Sequence, residues 1–77
     1  MTSSEMIRTK RIEKGLTQQE MADMIGKSLQ YYQRFEYGIV SLSNARMKTG
    51  LEICAILEID PFELVFADEK MLSLRQR

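Results

Sequence analysis

Between the capping box Thr17-Gln18-Gln19-Glu20 and Gly26 the chain has room for only about two helical turns, and Ser28 can start a new helix almost at once. The threonine hydroxyl satisfies an orphan amide at the helix start, and the glutamate three residues on returns the favour. Gly26 ends the helix because glycine enters the left-handed backbone region without a Cβ clash. Ala22, four residues earlier, is small enough to let a second helix cross closely over the first. The segment is therefore committed to two short helices meeting at a sharp corner.

The rest of the sequence repeats this language. Proline occurs once, no apolar run alternates as in a strand, and strong helix formers dominate, so the chain reads as all-α. Thr2 and Glu5 frame a first helix from Ser3 or Ser4 to just before Gly15, with Ile7, Arg11 and Lys14 on one face. The helix after Ser28 buries Tyr32 and Phe35 and closes at Gly38. A fourth helix is expected from Ser43 or Asn44 to about Glu58, with Met47, Leu51, Cys54 and Leu57 as its core stripe. Asp60-Pro61-Phe62-Glu63 opens a short fifth helix through Leu64, Val65 and Phe66, with Asp as cap and Pro in the first turn.

At 77 residues this is one domain, expected over residues 1–67, followed by a tail over 68–77 that is either a dimer contact or disordered. The longest apolar run, Ile53 to Leu57, is far short of the roughly 20 residues of a membrane span. Residues 1–15 carry too much charge for a signal peptide, so no membrane partner and a cytoplasmic location are expected. One cysteine and no histidine give neither an internal disulfide nor a zinc ligand set, so no metal and no cofactor are expected. Without histidine the common general base is missing as well, and Cys54 lies in an apolar stretch that keeps a thiol inert. The chain does not read as an enzyme, and no small-molecule ligand is evident.

Eleven basic residues balance eleven acidic ones, yet the charge is divided along the chain. Residues 1–48 carry a net +3 and residues 49–77 a net −3, which suits a chain that offers one end to an anion. The paired short helices have the logic of a helix-turn-helix, a device for placing its second helix in the major groove of DNA. With Tyr32 and Phe35 turned inward, Leu29, Gln30, Gln33 and Arg34 face solvent. Glutamine matches adenine edges, arginine matches guanine, and leucine can rest on a thymine methyl, so these four are candidate base readers.

Residues 7–66 resemble the Cro/repressor-type (XRE-like) helix-turn-helix family. The resemblance rests on Lys10-Arg11, on Gly15-Leu16-Thr17-Gln18-Gln19-Glu20-Met21-Ala22, and on Gly26, Ser28, Tyr32 and Arg34-Phe35-Glu36. Gly38 and Asp60-Pro61-Phe62-Glu63-Leu64 complete it. It implies a five-helix, lambda-repressor-like DNA-binding domain whose partner is double-stranded DNA. It further implies an inward ion pair between Arg11 and Glu36, and backbone contacts from Thr17, Gln18, Lys27, Ser28, Ser41 and Arg46. Thr17 can cap its helix and touch the backbone at once, turn chemistry is an alternative for Ser41 and the favoured reading for Ser43 and Asn44, and Tyr31 and Tyr37 either reach phosphate through their hydroxyls or pack on neighbouring loops.

The implied function is a sequence-specific transcriptional regulator of repressor type that binds a pseudo-palindromic operator as a homodimer. A fourth helix with more than one apolar stripe and a crowded fifth helix place the dimer surface at Ile53, Ile56, Phe62, Val65 and Phe66, extended by Met71 and Leu72. The alternative is a protein-interaction module on the same fold, using Leu29, Tyr31 and Tyr37. The sequence leaves open the operator, the regulated gene and the sign of regulation.

Overall fold

Each of the first three helices starts on a side-chain cap. Thr2 Oγ1 accepts the Glu5 amide while the Glu5 carboxylate accepts the Thr2 amide, and Thr17 and Glu20 repeat the arrangement. Ser28 Oγ accepts the Tyr31 amide at 3.1 Å. A computed structural model describes residues 1–67, with α1 at Ser3–Glu13, α2 at Gln18–Ile25, α3 at Leu29–Glu36, α4 at Met47–Leu57 and a fifth helix, α5, over 61–67. A single 3-10 turn, Leu42–Asn44, interrupts the connection between α3 and α4. Among the described residues there is no strand, and no helix is long and apolar enough to cross a membrane.

One core joins all five helices: Ile7 from α1, Met21, Ala22 and Ile25 from α2, Tyr32 and Phe35 from α3, Ile53, Cys54 and Leu57 from α4, and Leu64 from α5. Leu42 and Ile59 enter it from the connections. Asp60 Oδ1 accepts the Phe62 amide at 2.9 Å and so caps α5, as its position before Pro61 predicts.

The fourth helix differs from expectation in two ways. It starts at Met47 rather than Ser43 or Asn44. Ser41 Oγ contacts both the amide and the hydroxyl of Ser43, the Ala45 amide closes on Leu42, and this local hydrogen bonding holds the segment in a 3-10 turn. The buried stripe also keeps only Cys54 and Leu57 of the four residues expected in it. Thr49, Ile53, Cys54 and Leu57 are buried, whereas Met47 is 80% exposed and Leu51 is 48% exposed. Two apolar stripes overlap on this helix, and periodicity alone cannot choose between them. The stripe that continues into Ile59 and Leu64 is the one the core selects. Ile53, expected on a dimer surface, is therefore a fully buried core residue, and Ile56 is half-buried against that core.

Candidate nucleic-acid interface

The corner between α2 and α3 is built as its residues dictate. Gly26 takes φ +68°, and the amides of Gly26 and Lys27 close on the carbonyls of Asp23 and Ala22. Ala22 is fully buried, and the helix beginning at Leu29 presses Tyr32, Phe35 and Glu36 inward. Gln30 and Arg34 are exposed on its other side, while Leu29, Tyr31 and Gln33 are half-buried.

Arg11 and Glu36 fasten α3 to α1. Arg11 Nε donates to Glu36 Oε2 at 2.9 Å and Nη2 donates to Oε1 at 2.7 Å, while Nη1 reaches the Leu16 carbonyl at 2.8 Å. The Glu36 side chain is 0% exposed and that of Arg11 only 13%. Burial pushes the Glu36 carboxyl up, but hydrogen bonds from Arg11 and Gln18 and the nearby Arg11 charge outweigh it and hold the group below the usual carboxylate range. The Tyr32 hydroxyl, wholly enclosed, has no well-formed hydrogen bond among the described residues; burial first, and the Glu36 carboxylate second, push its pKa far up.

Gln18, the first residue of α2, extends this pair to the solvent-facing side. Its Nε2 donates to Glu36 Oε1 at 3.1 Å, and its Oε1 accepts from Gln33 Nε2 at 3.0 Å. The Tyr37 hydroxyl lies 3.3 Å from Gln18 Nε2 and 3.4 Å from its Oε1. The sequence places Gln33 among the candidate base readers and Gln18 among the backbone contacts, and does not show the bond between them. The signal was present in the choice of two amides and a buried glutamate at positions that the fold converges.

The remaining candidates have local roles as well. Thr17 and Ser28 use their hydroxyls as caps, leaving the hydroxyl protons able to donate outward. Tyr31 packs edge-on against Phe35, with ring centroids 5.4 Å apart, and Lys27 Nζ sits 5.3 Å from the Tyr31 ring centroid. Lys27 and Arg46 are exposed, Ser41 is half-buried, and Tyr37 is 59% exposed. Arg46 occupies the cap position of α4 without making a side-chain cap.

A second surface lies across α4 and α5. A groove of about 250 Å³ runs between the 3-10 turn and these helices, lined by Leu42, Met47, Leu51, Cys54, Leu64 and Val65 among others. Phe62, Val65 and Phe66 are 75%, 37% and 45% exposed, respectively. Met71 and Leu72, the other residues expected at a dimer surface, lie outside the described residues. Lys14 pairs with Glu58, tying the end of α1 to the end of α4.

No curated protein and no solved structure matched the chain. A family model described as helix-turn-helix matches residues 7–64, a span that runs from the first core residue of α1 to the buried leucine of α5 and includes the whole α2–α3 corner. With five helices among the described residues, a glycine-cornered pair at their centre and that match over most of its length, the chain belongs to the helix-turn-helix family of Cro/repressor (XRE-like) DNA-binding regulators.

Proposed function

We propose that this protein is a sequence-specific transcriptional regulator that inserts α3 into the major groove of a two-fold operator and does so as a homodimer. The observation that carries the reading is the mounting of α3. Its inward side is fixed by buried Tyr32 and Phe35 and by the doubly bonded Arg11–Glu36 pair, while Gln30 and Arg34 stand exposed on the other. A rigid helix presenting side chains able to bond base edges is what direct readout requires. Thr17 and Gln18 at the start of α2, with Lys27, Ser28, Tyr37, Ser41 and Arg46, are assigned to the sugar-phosphate backbone, where they set the register of the helix.

Support for the homodimer comes from the apolar side chains left exposed on α4 and α5, Met47, Leu51, Phe62, Val65 and Phe66. All but Met47 belong to the acidic half of the sequence, which phosphate repels, so this end turns from DNA toward a second copy. Two copies joined there would present their α3 helices about 34 Å apart.

Binding to mixed-sequence duplex DNA, titrated at several salt concentrations, tests the DNA reading. Displacement of counterions by Lys27, Arg34 and Arg46 predicts an affinity that falls steeply as salt rises. A chain that ignores duplex DNA would favour the protein-interaction module instead. Tyr31 weighs against that alternative, because its ring is engaged by Phe35 and Lys27.

A further inference from the structure

The groove across the 3-10 turn, α4 and α5 has a floor that the fold does not require. Met47, Gly50, Leu51 and Cys54 line it at helical spacing along α4, with Gly50 in the middle of the row. Glycine in a helix interior weakens the helix relative to alanine. Gly50 is not one of the left-handed glycines, and a Cβ there would meet only the Leu42 carbonyl oxygen at 4.0 Å, an ordinary van der Waals contact. Neither backbone conformation nor internal packing therefore asks for a glycine. Its missing side chain deepens the groove and lets an outside group approach the backbone of α4.

Size and charge narrow what that group is. The groove of about 250 Å³ has room for about eight water-sized groups at roughly 30 Å³ each, enough for a short apolar chain. Its lining includes no acidic residue and one basic residue, Arg46, which forms no ion pair among the described residues. A two-fold contact pairs a surface with itself, so a second copy facing the groove would bring another Arg46 and no carboxylate from the same lining. A ligand that carries its own carboxylate does match, because the guanidinium fork takes it through two hydrogen bonds while an apolar tail lies over Gly50. Phe62 and Phe66, exposed on α5 outside the groove, stay available to the second copy.

We infer that this groove is a binding site for an aliphatic carboxylic acid of about eight carbons, its tail over Gly50 and its carboxylate on Arg46, and that filling it weakens DNA binding. The coupling rests on the DNA-binding reading above, in which Arg46 contacts the sugar-phosphate backbone. One guanidinium cannot serve both anions fully, so each lowers the affinity for the other by the same factor.

The test uses the full chain with isotope-labelled amides and octanoate as the probe, with octanol and acetate supplying tail and head separately. Octanoate should shift the amide resonances of Gly50, Leu51 and Cys54, and octanol and acetate should each need several-fold higher concentrations. At saturating octanoate the affinity for duplex DNA should fall about fivefold or more. Gly50→Leu, which fills the groove, should lose the octanoate response and keep the wild-type DNA affinity. Gly50→Ala should raise the thermal midpoint by roughly 2–8 °C, and a lowered midpoint would show that the fold itself needs the glycine and overturn the inference. Octanoate that leaves the three amides unmoved, or binds no better than octanol, would overturn the site with the DNA reading intact. Conversion of a dimeric wild type to a monomer by Gly50→Leu would assign the groove to a second copy and overturn it as well. A chain that takes octanoate and ignores duplex DNA would instead overturn the coupling together with the DNA reading.

Discussion

Arg11 and Glu36 lie 25 residues apart in the sequence and meet through two hydrogen bonds of 2.9 and 2.7 Å in a site almost closed to water. The pair binds the helix that presents the candidate base readers to the helix that begins the domain. Because both side chains are desolvated, each depends on the other far more than surface charges do. Arg11→Ala and Glu36→Ala should each lower stability by roughly 3 kcal/mol, and the double variant should lose much less than their sum. Urea unfolding of the four proteins checks this, and additive losses would reject the coupling.

The same pair makes stability depend on pH in a defined direction. Burial opposes the charge on Glu36, yet its hydrogen bonds win and lower its pKa in the folded protein. A depressed carboxyl contributes stability above its unfolded pKa, about 4.3, and that contribution is lost as pH falls through the lower folded value. The unfolding midpoint should therefore drop below about pH 4. Glu5, Glu20 and Glu58 are also lowered and share the wild-type decline, so the specific signature is the difference from Glu36→Gln. That difference should be largest near neutrality and shrink in acid.

Arg34 is exposed on α3 and is assigned to a base edge. Arg34→Ala should weaken binding to the selected site by about 1–3 kcal/mol, relax preference at one base pair and leave the unfolding midpoint unchanged. Equal weakening on all sequences would identify Arg34 as a phosphate contact.

Gly26 has φ +68° and no neighbour within 4 Å of where a Cβ would stand. Gly26→Ala should therefore cost only the backbone strain of a left-handed residue, about 1–2 kcal/mol, without a packing defect. Thermal unfolding measures the loss, and an unchanged midpoint would show that the corner relaxes to another conformation.

Assembly is tested at α5. Phe66→Glu should shift the protein from dimer to monomer in light scattering at micromolar concentration, and Leu51→Glu should act similarly if the α4–α5 groove belongs to the same surface. A wild type that is monomeric both free and on its DNA would end the homodimer proposal.

Much of this molecule was legible because its punctuation is local. The Thr2, Thr17 and Ser28 caps, the left-handed Gly26 and the Asp60 cap act within a few residues of themselves, so helix starts and stops follow from spacing. The fourth helix resisted because Met47, Leu51, Ile53 and Leu57 offer two acceptable stripes, and only the packing partners decide which is inside. The Gln18–Gln33 bond was hidden for a related reason: 15 residues separate its ends, and only the crossing of α2 over α3 brings them together. The Arg11–Glu36 pair was legible only through the family resemblance, because nothing in the local sequence joins two residues 25 positions apart.

Selection of bound sequences from a random duplex pool shows whether two α3 helices read DNA together. The pool should become enriched in a pseudo-palindrome whose half-sites are centred about 10 base pairs apart, as a dimer presenting two α3 helices to one side of the duplex requires. A pool that emerges with no enriched sequence, while the protein remains folded, would contradict it.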